Sequence, residues 1–231
     1  MAQGDATLEK AVYGLYARND IVHPDGITGV IYKAGEQVAT LTTDKNGQAS
    51  VDGLYLGDYY VKEISPSVGY LADETEHDLV CNYEGDLVAE VKRDCTSLEQ
   101  VMKQPFQIIK AANNGKTDAD LLKGAGFTAY LESSLTKKAD GSYDFASATP
   151  VVIGEDGATE MFTDEKGYAC SIALPYGTYI VRETTTPHNY TPVDDFTVRI
   201  TENNPNQPQT WRVLLDDELD RKSTRLNSSH L

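Results

Sequence analysis

Gly177-Thr178-Tyr179-Ile180-Val181-Arg182-Glu183, read beside Gly57-Asp58-Tyr59-Tyr60-Val61-Lys62-Glu63, decides the fold. The two stretches lie 120 residues apart, and that offset holds without a gap over 28 positions. It opens with Thr43-Asp44-Lys45-Asn46-Gly47 against Thr163-Asp164-Glu165-Lys166-Gly167 and closes with Gly69-Tyr70 against Asn189-Tyr190. A looser match upstream sets Ala11-Val12-Tyr13-Gly14-Leu15-Tyr16 beside Ala125-Gly126-Phe127-Thr128-Ala129-Tyr130. Self-similarity at a fixed offset marks a duplicated module. Within it, Tyr179, Val181 and Glu183 share one face of a strand, while Ile180 and Arg182 take the other. Phe106, Ile108 and Lys110 alternate in the same way, as do Val213, Leu215 and Asp217. The Asp-x-x-Gly pieces at 44–47 and 164–167 are turn signals between strands. Short strands punctuated by such turns predict an all-β chain of two tandem Ig-like β-sandwich domains.

The expected boundaries are 1–98 for the first domain and 103–219 for the second. Thr96 to Gln104 reads as a polar connector with mild helical character, and Ala139-Asp140-Gly141-Ser142-Tyr143-Asp144 as a polar insertion forming a long exposed loop. Asp220 to Leu231 fits neither copy: it is basic and lacks apolar periodicity. It resembles the translation of a common sequencing-library adapter and is expected to be a non-native, disordered tail. Both natural termini are then expected to be missing from the chain, so the lack of a leader or anchor carries no weight.

Composition agrees with this reading. The 231 residues carry 36 acidic against 20 basic side chains, a formal charge of −16. Hydrophobic residues at 40% and charged ones at 24% lie in the globular range and exclude wholesale disorder. No apolar run approaches the ~20 residues of a membrane span. So acidic a surface repels phosphate backbones, and no nucleic-acid partner is expected. Fourteen Tyr and eighteen Gly against three Met and one Trp lean towards a β-rich, turn-rich extracellular protein. Cys81, Cys95 and Cys170 are an odd number without metal-type spacing, and read as buried or half-buried free thiols. Cys81 and Cys95 flank an expected hairpin turn at Glu84-Gly85, with a return strand over Leu87 to Cys95.

Gly177 to Tyr190 closely resembles the signature of the Cna protein B-type, or SpaA-like pilin, domain family, roughly G-x-Y-x-[VL]-x-E-x-x-x-P-x-[GN]-Y. Gly57 to Tyr70 matches it with the proline one place earlier, at Pro66. The resemblance implies prealbumin-like β-sandwiches from the stalk of a Gram-positive surface adhesin or pilin. Such a stalk would be attached to the cell wall, with neighbouring modules of the same protein as partners. It also implies an intramolecular amide between a Lys on the first strand and an Asn or Asp on the last, assisted by a Glu. In the second module these positions fall on Lys110, Glu183 and Asp217, with Asp217 selected over Asp216 by alternation.

The residues give the same trio a physical rationale. Each is in register with apolar neighbours, so each is expected to face the core. Burial lowers a Lys pKa and raises a carboxyl pKa. Lys110 can then be a neutral nucleophile, while a protonated Glu183 polarises the Asp217 carbonyl. The competing reading makes all three ordinary charges at the rims of the sandwich. In the first module Glu63 is the equivalent of Glu183, but Lys10 lies beyond the first-strand position and Asp94 alternates with polar residues. No cross-link is expected there, and the first strand of that module is expected to be missing.

Other chemistries find less support. Gly124-Ala125-Gly126-Phe127-Thr128-Ala129 spells a dinucleotide fingerprint but opens a strand pattern, not a helix. His23, His77 and His188 are isolated and expected near turns at the surface, and the Asp44 and Asp164 turns lack a full calcium ligand set. No cofactor or metal is implied. Beside the stalk, two further functions fit: a module binding host matrix protein or glycan through loop 132–150, and an accessory β-domain of a secreted hydrolase.

Overall fold

The computed structural model describes residues 3–113 and 120–216. Among them all regular structure is strand, apart from single 3-10 turns at Glu132–Ser134 and Glu155–Gly157. No helix among the described residues is long and apolar enough to cross a membrane. The chain divides into two compact units, Ala6–Gln100 and the residues from Val101 onward, with residues 3–5 clustering with the second.

The first unit contains β1 (Val12–Ala17), β2 (Ile21–Val22), β3 (Val30–Tyr32), β4 (Gln37–Thr42), β5 (Gly57–Ser65) and β6 (Glu76–Cys81). Four of them make one antiparallel sheet in the order β4-β1-β5-β6, and β2 pairs β3 apart from it. Its buried core is small: Leu15, Ala17, Ile21 and Tyr59, with Val61, Leu79 and Cys81 packed half-buried around them.

The second unit contains β7 (Lys103–Gln104), β8 (Phe106–Asn113), β9 (Asp120–Leu121), β10 (Gly126–Leu131), β11 (Thr136–Lys137) and β12 (Tyr143–Asp144). It continues with β13 (Glu160–Phe162), β14 (Tyr168–Cys170), β15 (Leu174–Pro175), β16 (Gly177–Thr185), β17 (Phe196–Ile200) and β18 (Gln209–Asp216). One sheet runs β13-β10-β16-β17; the other runs β14-β8-β18, with β9 also on β8. Phe106 and Ile108 of β8 pack against Phe127, Tyr179, Val181, Val198 and Ile200 of the facing sheet, and all seven are buried. The long strand β8 near the start of the unit and the last one, β18, lie side by side and parallel.

The duplication extends to hydrogen bonds. Thr43 Oγ1 accepts the Ala11 N–H (2.9 Å) and donates to Leu8 O (2.6 Å). Thr163 Oγ1 accepts the Ala125 N–H (2.9 Å) and donates to Leu122 O (2.7 Å). Asp44 Oδ1 takes the N–H groups of Asn46 and Gln48, as Asp164 Oδ1 takes those of Lys166 and Tyr168. Those bonds hold both carboxyls below the usual range. They also close turns whose φ values, 76° at Gly47 and 70° at Gly167, suit glycine. Tyr59 Oη donates to Tyr55 O (2.6 Å) and Tyr179 Oη to Pro175 O (2.7 Å), so each large buried ring keeps its polar end satisfied.

Several sequence expectations need correcting. Thr96 to Gln104 is not helical: it is irregular up to a bridge at Val101 and ends in β7. The turn after β6 starts at Gly85, whose carbonyl accepts the Val88 N–H, but residues 87–95 form no strand and pair with no ladder. Cys95 and Cys170 are exposed and only Cys81 is half-buried. His77 sits inside β6, where alternation turns its ring inward and leaves Nε2 buried. The 139–144 insertion closes the β11–β12 hairpin instead of a free loop. Beside it, Phe145 packs edge-on to Tyr130, with Arg182 stacked on its other side, because an apolar ring is better placed on the outer sheet face than in water.

Two separate cores predict two unfolding transitions by calorimetry. Phe127→Ala should lower the stability of the second unit by about 3–5 kcal/mol and Leu15→Ala that of the first by about 2–5 kcal/mol, each moving one transition only.

Candidate functional site

Alternation in β8 sends Phe106, Ile108 and Lys110 into the sandwich, and all three are 0% exposed. On the facing sheet the same period sends Tyr179, Val181 and Glu183 inward, and the ladder sets Glu183 opposite Phe127. Lys110 and Glu183 therefore meet across the core. Lys110 Nζ donates to Glu183 Oε2 at 2.6 Å, and neither side chain has any solvent exposure. The same oxygen accepts the Val193 N–H at 2.8 Å. Glu183 Oε1 is buried without a hydrogen-bond partner. The ammonium lies 5.7 Å from the centroid of the Phe127 ring, which walls the pair from one side.

Burial drives the Lys110 pKa down, and the adjacent Glu183 charge and hydrogen bond only partly oppose it. Without Glu183 an ammonium here would be expensive; with it, proton transfer between the two groups is short and shielded from water. The arrangement is thus an amine and a carboxyl in direct contact, with one carboxyl oxygen left open for a further group. No cluster of side chains able to hold a metal occurs among the described residues.

Two of the three expected residues come together. The third, Asp217, lies outside the described residues. The β8–β18 register pairs Val213 with Lys110 and Asp216 with Asn113, so position 216 is out of phase with Lys110.

In the first unit Glu63 repeats the local geometry of Glu183. Its Oε2 accepts the Asp73 N–H at 2.7 Å, and its Oε1 is buried without a partner. Burial raises its pKa; the Asp73 N–H opposes this, and the charges of Glu99 and Asp73 add to the rise. No described lysine meets it: Lys10 is exposed at the turn before β1, and Asp94 is exposed beyond β6. Sequence reasoning missed Glu99, which accepts the Tyr13 hydroxyl at 2.6 Å. It also missed the amides of Asp73 and Val193. The 120-residue offset aligns those two positions, but backbone donors have no letter of their own.

Fold and site together define a tandem all-β protein of prealbumin-like sandwich modules with a buried amine–carboxyl pair. The family described as "SpaA: Prealbumin-like fold domain" matches twice, over residues 2–94 and 105–212, and the chain belongs to that family. No curated protein matches the chain. Among solved structures, the Bacillus anthracis TIE protein superposes with a TM-score of 0.55 at 23% identity, over 92% of this chain and 32% of that one. This chain thus spans about a third of that protein, and the likeness bears on fold alone. GBS52, the minor pilin of Streptococcus agalactiae, aligns over 96% of this chain and 86% of its own at 18% identity, with a TM-score of 0.38. The shaft pilin SpaA of Lactobacillus rhamnosus GG aligns over 90% and 85% at 19% identity, with a TM-score of 0.32.

With Asp216 and Asp217 both changed to Ala, Lys110 stays a free amine. Its folded pKa then lies below the usual 10.5, so the unfolded chain binds more protons between those two values. Stability should rise with pH across that window in urea titrations. Lys110→Met in this background should remove the slope and cost about 3–5 kcal/mol by stranding Glu183.

Proposed function

We propose that the chain is a two-module section of a stalk, from a surface adhesin or pilin-like fibre outside the cell. In this reading the second module is closed by an amide between Lys110 and Asp217. The observation that carries it is the fully buried Lys110–Glu183 contact, with Glu183 Oε1 free to receive the acceptor. A lysine is seldom buried without a chemical reason, since the charged form loses hydration that a single carboxylate does not replace.

The chemistry is a condensation. Neutral Lys110 Nζ attacks Asp217 Cγ, while Glu183, protonated, donates to the carbonyl oxygen and stabilises the charge that develops there. Glu183 then takes the amine proton and returns it to the leaving hydroxyl, so that one C–N bond forms, one C–O bond breaks and one water departs. Folding supplies the proximity that makes amide formation competitive with hydrolysis.

The event occurs once per molecule, needs no cofactor and turns over no substrate, so the chain acts as a structural element and not as an enzyme. Closing about 100 residues restricts the unfolded chain by ~4–5 kcal/mol in the loop-entropy account. Because β8 lies near the start of this unit and β18 near its end, paired in parallel, tension along the module would load the amide before it could peel the ladder. Neighbouring modules of the same fibre are the natural partners. The β11–β12 segment is held on its own sheet through Tyr130, Phe145 and Arg182, which favours the stalk over recognition by a free loop.

Intact-mass spectrometry tests the bond. The chain should be lighter than its sequence by one water, and Lys110→Ala and Glu183→Ala should each restore the full mass. Fragmentation should place the link at Asp217; an unchanged mass in the parent chain would overturn the proposal.

A further inference from the structure

Residues 3–5 pack as part of the second unit, with Val101 onward and not with Ala6–Gln100. The place they occupy is the corner where β15 passes into β16. There the Asp5 N–H donates to Tyr176 O at 2.9 Å. The Asp5 carboxylate is divided between two donors: Oδ2 accepts the Thr178 N–H at 3.1 Å, and Oδ1 accepts the Ser133 hydroxyl at 2.5 Å. The Thr178 amide needs such an acceptor. β10 ends opposite Tyr179, so Thr178 lies one residue past that ladder and its N–H has no β10 residue to pair with.

Glycine makes the approach possible. A Cβ on Gly4 would stand 2.1 Å from Tyr176 O and 3.1 Å from Tyr179 Oη, and its φ of 65° is left-handed. Gly177 gives way from the other side, since a Cβ there would stand 3.0 Å from Asp5 Oδ2 and 3.2 Å from Asp5 N. Gly4 also closes over the hydroxyl end of Tyr179, one of the large rings buried in this core. The Asp5 charge adds to the burial that raises the Tyr179 pKa. The segment is part of the repeated module and not an appendage, because Asp5-Ala6-Thr7-Leu8 recurs as Asp118-Ala119-Asp120-Leu121.

We infer that the β15–β16 corner of the second unit is a docking site for a Gly-Asp peptide segment, filled in this chain by Gly4 and Asp5. Each part of the segment is read separately. Tyr176 O takes the main-chain N–H of the aspartate and leaves no room for a side chain on the residue before it. Thr178 N–H and the Ser133 hydroxyl take one carboxylate oxygen each, as charge-assisted hydrogen bonds. Asparagine in place of the aspartate would turn its NH2 towards one of those two donors and lose that bond. The attached segment keeps the corner closed, so a second Gly-Asp segment binds only when Gly4 and Asp5 are released. Neither Lys110 nor Glu183 takes part, and the site stands or falls independently of the amide.

The test uses the whole chain in two forms, the parent and a Gly4→Val/Asp5→Ala variant that empties the corner. Hydrogen exchange at the Thr178 amide should be at least tenfold faster in the variant, with exchange along β8 unchanged. A synthetic peptide with the sequence of residues 2–8, acetylated at its N-terminus, should bind the variant saturably in an NMR titration. It should shift the Ser133 and Thr178 amides and restore slow exchange at Thr178, while the parent chain should not bind it. The same peptide carrying Asp5→Asn should bind at least tenfold more weakly. Ser133→Ala in the parent chain should speed Thr178 exchange without altering the segment, so the outcome does not rest on one variant. Equal Thr178 exchange in parent and variant, no saturable binding to the variant, or equal affinity for the Asn peptide would overturn the inference.

Discussion

A lysine ammonium and a glutamate carboxylate, 2.6 Å apart with no exposure to solvent, set the terms for the second module. An isolated charge cannot be placed in such a core, so each group makes the other possible, and the surrounding strands must hold both in position. That requirement explains why β8 and β16 have to approach through a complete sandwich. The seven apolar side chains packed between the sheets do more than bury area; they exclude the water that would otherwise separate the pair. The Val193 amide completes the arrangement by fixing one Glu183 oxygen, which leaves the other available for chemistry.

The described residues of the first unit repeat part of this framework. Its threonine clamp, its Asp turn and its buried tyrosine are reproduced to within about a tenth of an ångström in the hydrogen-bond lengths. The β4-β1-β5-β6 sheet carries the same local devices, with Ile21 of β2 and Tyr32 of β3 packed on its core. Among the described residues its buried cluster holds four side chains, Leu15, Ala17, Ile21 and Tyr59. Glu63 keeps the backbone hydrogen bond of Glu183 with no cation beside it among the described residues, and its carboxyl pKa is raised by desolvation and by its acidic neighbours.

Much of this could be read from the letters. The Gly-x-Tyr-x-Val-x-Glu stretches carry the strand period, and a charged residue in phase with Tyr and Val identified both glutamates as inward-facing. Lys110 was legible for the same reason, through Phe106 and Ile108. Glu99 was not: it follows a polar, irregular stretch with no period, and it reaches Tyr13 across 86 positions of sequence. The hairpin expected at Glu84-Gly85 failed on similar grounds, because a turn signal specifies a reversal and not whether a strand is there to receive the returning chain.

The sequence by itself determined the class of fold, the duplication and the inward facing of Lys110 and Glu183, since these follow from periods of two and from turn chemistry within a few residues. Only the tertiary structure decided which inward charges meet. Lys110 and Glu183 are 73 positions apart, and their contact depends on the stacking of two sheets, to which no local pattern refers. It also decided that Glu63, identical in its local motif, has no such partner among the described residues. A strand period states which way a side chain points; what lies opposite it is set by the packing of distant strands.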